Sequence, residues 1–131
     1  ILSMFSLIDT IFYDIKHMDS DEHLEYTGVS NTLILENLKQ AAGLYSEKIT
    51  VSIPVIPGFN DTIDEISSIG RFLVQTGIKK VRLLPYHSMG MGKYETLGIS
   101  YPHQTYDKNL KPDLIEEFKE ILINIGIDEI V

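Results

Sequence analysis

The sequence contains no cysteine. Its own residues therefore supply no disulfide, no thiolate metal site, no cysteine nucleophile and no ligand for a cysteine-held iron-sulfur cluster. Positive charge is also scarce. Eleven Lys and Arg stand against 19 Asp and Glu, a net charge of -8, so a phosphate backbone or an anionic membrane surface would be repelled rather than drawn in. Nucleic acid is thereby excluded as the expected partner. Apolar runs are short as well: none approaches the roughly 20 residues of a spanning helix, and no basic segment leads into an apolar core as in a signal peptide. The chain reads as cytoplasmic, with no membrane partner.

What is present is ordinary globular composition, 44% hydrophobic and 23% charged over 131 residues, enough for one domain with a real core. The first residue is Ile1 rather than Met, and the expectation is a piece of something longer. Asn60-Asp61-Thr62 fits a glycosylation acceptor by pattern, and is read here as a loop and helix start.

Residues 8–15, IDTIFYDI, are β-branched and aromatic and run into polar loop residues, the pattern of a buried parallel strand. Residues 1–7 are expected to finish an earlier helix. Leu35, Leu38 and Ala42 recur at helical spacing from Asn31 onward, with Gly43 placed as a C-cap. KITVSIPVI, residues 48–56, is the second strand, and Pro57-Gly58 turns out of it. Asp61 is expected to cap a helix whose buried stripe is Ile63, Ile66, Ile69 and Leu73, ended by Gly77. KVRLLP, residues 80–85, is a third strand, and an irregular stretch rich in Gly, Tyr, His and Pro fills 86–111. Pro112 opens a helix carrying Leu114, Ile115, Phe118, Ile121, Leu122 and Ile125, Gly126 ends it, and IDEIV closes the chain as a short strand.

This alternation predicts an α/β fold of right-handed parallel βα units. Four strands make about half of an eight-stranded barrel of roughly 250 residues, so the open edges should be covered by further sequence or by oligomer contacts.

The chemistry gathers at the strand ends. Asp14 and Lys16 are two apart, hence on one side of a strand, at its C-terminal end, where parallel α/β sheets bind ligands. Three readings fit them: a strand-end salt bridge, a carboxylate and ammonium gripping a zwitterion such as an amino acid, or a Schiff-base nucleophile at Lys16. Pro57-Gly58-Phe59-Asn60-Asp61 is a plain βα turn or a place of close backbone approach to a ligand. Leu84-Pro85-Tyr86-His87 brings a phenol and an imidazole to the same rim. His17, His23, His87 and His103 lack close ligand spacing, which argues against zinc. Gly90-Met91-Gly92-Lys93 fails as a phosphate loop, since His87 stands where the first glycine belongs and Tyr94 replaces Ser or Thr. Tyr86, Tyr94, Tyr101 and Tyr106 either pack the long loop down or face a peptide. The acidic runs 19–22 and 116–117 read as solvated faces.

The ordered motifs YDIKHMD, HLEYTGVSN, IPVIPGFND and LLPYH, the last followed by GMGKYETLG, together resemble the C-terminal half of the radical S-adenosylmethionine glycyl-radical-enzyme activases, most of all those acting on pyruvate formate-lyase. The resemblance implies part of a partial (β/α)6 TIM-like barrel. It implies S-adenosylmethionine and a 4Fe-4S cluster as cofactors, a glycyl radical enzyme as partner, and an electron donor such as flavodoxin or ferredoxin. By the same resemblance Asp14 and Lys16 hold the methionyl amino and carboxylate groups, the Pro54 backbone lines the pocket, His87 lies near the adenosyl part, and some members bind a monovalent cation at the position of Asp14. Tyr86, Lys93 and Tyr94 would face the partner. The family's C-x3-C-x2-C and Gly-Gly-Glu segments are absent here, so this segment alone is expected to be inactive. Ser52 stands where many members carry Arg.

Overall fold

The computed structural model describes residues 7–86, Gly98 and residues 112–131. The expected helix end before Leu7, and the roles expected for His87, Lys93, Tyr94 and the long loop beyond Tyr86, lie outside those residues.

Four strands, β1 (Ile11–Asp14), β2 (Ile49–Val55), β3 (Lys80–Pro85) and β4 (Glu129–Ile130), form one sheet in chain order. All neighbours are parallel. Between them come α1 (Ser20–Thr27), α2 (Thr32–Tyr45) with a 3-10 turn at Ser46–Lys48, α3 (Ile63–Gln75) and α4 (Pro112–Ile125). The register aligns Asp14 with Ser52 and Ser52 with Arg82, and because side chains alternate across a strand this sorts the two faces. One face carries Ile11, Tyr13, Ile49, Val51, Ile53, Val55, Val81 and Leu83. These join Leu38 and Ala42 of α2, Ile66, Ile69 and Leu73 of α3, and Phe118 and Leu122 of α4 in a single core. The other face carries Phe12, Asp14, Thr50, Ser52, Pro54, Lys80 and Arg82. Chain-order winding with like-handed crossovers puts the helices of successive units on the same side, and the shared core shows that side to be the apolar one.

The local code explains most boundaries. The β3 span is the predicted one, and α4 starts at Pro112 as expected. The predicted stop of α3 is also found: Gly77 takes φ 80°, which only glycine adopts cheaply, and lets Ile78 N–H bond back to Leu73 O at 3.0 Å.

Four expectations need correction. The first strand is shorter than residues 8–15 and is not buried on both sides, since Phe12 is 57% exposed. Helix α2 does not stop at Gly43 but runs to Tyr45; a Cβ at Gly43 would meet nothing within 4 Å, so that position carries no cap and merely costs helix propensity of about 1 kcal/mol. The N-cap of α3 is Thr62, whose Oγ1 accepts from Glu65 N–H at 3.2 Å, because Asp61 is occupied in accepting from Gly58 N–H at 2.8 Å; Ile63, on the expected stripe, is 47% exposed. The acidic run at 19–22 is the start of a helix rather than only a solvated face. Asp19 Oδ1 accepts from Asp21 N–H at 2.9 Å and Glu22 N–H at 3.0 Å, satisfying the open amides of α1.

Those bonds, first that from Glu22 and then that from Asp21, hold the Asp19 carboxyl below its ordinary value of 3.8. A depressed carboxyl stabilises the fold above its unfolded value and loses that contribution as pH falls through the folded one. The amide protection of Asp21 and Glu22 should therefore weaken as pH drops below about 3.8, and in Asp19→Ala it should be weak at every pH; hydrogen exchange between pH 6 and 3 measures both. Wild-type protection that Asp19→Ala reproduces would remove the cap from the account.

Candidate functional site at the strand ends

At the C-terminal ends of β1 and β2 the strands part, and the sequence replaces the missing ladder with one side chain. Ile15 N–H donates to Ser52 O at 3.0 Å, the last main-chain bond between them. Backbone groups two residues on face the same neighbour, so Pro54 also addresses the β1 side, where no strand remains. Proline has no N–H to leave unpaired there. Its carbonyl accepts from Asn60 Nδ2 at 2.7 Å, and the same amide donates to Lys16 O at 2.7 Å while Asn60 Oδ1 accepts from Ile56 N–H at 2.7 Å. Asn60 is wholly buried. It therefore fixes the backbone of Lys16 relative to Pro54 across the crevice between the strands.

A second layer holds the β1 exit. Asn31, also buried, donates to His17 O at 2.9 Å and Met18 O at 2.8 Å. Glu65 Oε1 accepts from Met18 N–H at 2.6 Å. His17 Nδ1 accepts from Asp19 N–H at 3.0 Å, which places the proton of the neutral ring on Nε2. The same Nδ1 lies 3.6 Å from Glu65 Oε1. The rings of His17, Phe59 and Tyr26 stack in series, at 5.0 and 4.2 Å between centroids, and Tyr26 Oη donates to Gly58 O at 3.1 Å. Sequence reading found Lys16 and the Pro-Gly turn but missed what positions them. The signal available was a buried-type Asn in each of two turns, Asn31 and Asn60.

On this frame Lys16 Nζ lies 3.8 Å from Asp14 Oδ2, their side chains 39% and 54% exposed. The pair is thus together and open to a ligand. A Schiff-base lysine is kept dry, and the surroundings of Lys16 are those of an accessible ion pair instead. Beside Asp14 in the same row is Ser52, fully buried, whose Oγ accepts from Arg82 Nη2 at 3.1 Å. Arg82 reaches on over β2 to lie 4.4 Å from the centroid of Phe12, a cation on a ring face. Its Nε is buried and has no hydrogen-bond partner among the described residues. Tyr86, half-buried, donates its N–H to Val55 O at 3.0 Å, so the chain leaves β3 toward the same rim.

No described helix is long and apolar enough to cross a membrane, and no protein-family model matches the chain. It is 39% identical over 126 residues to the 4-hydroxyphenylacetate decarboxylase activating enzyme of Clostridioides difficile (strain 630), a match covering 95% of this chain and 39% of that one. It is 35% identical over 94 residues to the pyruvate formate-lyase-activating enzyme of Staphylococcus aureus (strain USA300), covering 71% of this chain and 37% of that enzyme. The crystal structure of a domain of pyruvate-formate lyase-activating enzyme from Bacteroides vulgatus superimposes with a TM-score of 0.75 at 22% identity, over 99% of this chain and 72% of that domain, which establishes a shared fold. The chain spans less than half the length of the curated relatives it matches. Along nearly all of its own length the chain is a homologue of glycyl-radical-enzyme activating enzymes.

Proposed function

We propose that the chain is the C-terminal portion of an activating enzyme for a glycyl radical enzyme, and that its strand ends form one wall of the S-adenosylmethionine pocket. The observation that carries this is the Asp14–Lys16 pair, held 3.8 Å apart and accessible at the end of β1, within a stretch homologous to activating enzymes over 126 residues. Chain-order strands with the helices on one face are how a barrel wall is built, and on this reading the sheet is an arc of a partial (β/α)6 barrel whose inner face is the one bearing Asp14, Ser52 and Arg82.

The donor set fits a zwitterion. Asp14 accepts from an α-ammonium group, and Lys16 swings from Asp14 to the α-carboxylate, so that the protein's ion pair is exchanged for two pairs with the ligand at little net cost in charge. Asn60 keeps the Lys16 backbone in place while the side chain moves. When bound beside a 4Fe-4S cluster, S-adenosylmethionine would supply the reductive radical chemistry by which the partner's glycine is activated. This chain has no thiolate for that cluster, and its part is to bind and orient the methionyl end. Tyr86 toward the partner completes the reading among the described residues; His87, Lys93 and Tyr94 lie outside them. That partner belongs to the class of decarboxylases and lyases activated by the relatives, with flavodoxin or ferredoxin as electron source.

S-adenosylmethionine titrated into the chain should bind measurably, and Asp14→Asn and Lys16→Ala should each weaken it about tenfold or more, the worth of a charge-assisted hydrogen bond. Equal affinity for wild type and both variants by calorimetry would reject the site.

A further inference from the structure

We infer that Arg82 is a binding residue of this site and grips the carboxylate of an α-amino-acid ligand whose ammonium group sits on Asp14. The inference rests on the zwitterion reading above but on different atoms. Among the described residues the polar face and its rim carry three cations, Lys16, Lys80 and Arg82. Lys16 is paired with Asp14 at 3.8 Å and Lys80 with Glu129 at 3.4 Å. Arg82 has no carboxylate within ion-pair distance among the described residues; it has the hydroxyl of Ser52, the ring of Phe12 and an unused buried Nε–H. An unpaired guanidinium donor away from water is costly, and five donors in a fixed fork are suited to a carboxylate.

Placement agrees with that chemistry. Asp14, Ser52 and Arg82 are one row across three strands, about 10 Å from end to end at the usual strand spacing. Arg82 does not stay over its own strand. Its hydrogen bond to Ser52 carries the guanidinium over β2, where it also lies on the ring face of Phe12 of β1. In an α-amino acid a single carbon separates ammonium from carboxylate, so a ligand anchored at Asp14 presents its carboxylate over the next position of the row, where the Arg82 guanidinium lies. Ser52 serves as the rest that aims it.

The test compares S-adenosylmethionine with its decarboxylated form, which keeps the sulfonium and the amine and lacks the carboxylate. Arg82→Gln should weaken binding of S-adenosylmethionine roughly ten- to a hundredfold, as expected for a charge-assisted fork, and leave the decarboxylated form within about twofold. Arg82→Lys, which keeps the charge and loses the fork, should fall between and serves if Arg82→Gln does not fold, with the far-UV spectrum as the check. Equal loss for both ligands, or no loss for either, overturns the role of Arg82. If affinity survives Arg82→Gln yet is lost in Asp14→Asn, only this inference falls; if wild type binds neither ligand, it falls together with the site.

Discussion

Asn60→Ala should cost about 3–5 kcal/mol of folding free energy, a large part of the 5–15 kcal/mol typical of a domain. The change removes three short bonds at once and leaves the Lys16 and Pro54 carbonyls and the Ile56 N–H without their partner. Each buried polar group so orphaned costs about 1–3 kcal/mol, and the wholly buried position adds a small cavity. Asn60→Asp separates geometry from volume. It keeps the shape but turns a carboxylate oxygen on two carbonyls, so it should be as damaging near neutral pH and recover partly in acid, where the protonated acid can donate to one of them. Urea midpoints for the two variants at pH 7 and pH 5 measure this. A loss under 1 kcal/mol for Asn60→Ala would mean that water or the chain itself holds the crevice.

Phe118→Ala should be the other severe change. Phe118 is fully buried on α4 in the core shared with α3 and the apolar face of the sheet, and truncating such a ring costs about 3–5 kcal/mol in lost transfer energy and cavity. Helix α4 leads directly into β4, which pairs with β3, so its loosening should also lower the protection of the Val131 amide, which bonds to Val81 O. Ile123→Ala, on the same helix but 56% exposed, should shift the midpoint little. Similar losses for the two would mean that α4 is not packed as described.

How much was legible in the sequence follows from which forces act locally. Helix α4 and strand β3 were read closely because hydrophobic spacing, Pro112 and Gly126 all agree there. Helix α1 was missed because it buries almost nothing, only His23; its ends are set by Asp19 and Gly28, and the apolar stripe that sequence reading relies on is absent. At α3 two adjacent residues were both competent caps, and the choice of Thr62 over Asp61 is made by the turn amide of Gly58, a tertiary fact. The Asp14–Lys16 pair followed from parity alone. Arg82 was passed over as an ordinary strand residue, since only the register of β1, β2 and β3 puts it in the row with Asp14.

Whether this chain is part of an activating enzyme is decided by the coding sequence upstream of Ile1. An in-frame C-x3-C-x2-C followed by Gly-Gly-Glu is expected there, supplying the cluster ligands that a cysteine-free stretch cannot. A start codon next to Ile1, with no cysteines encoded ahead of it, would contradict the account.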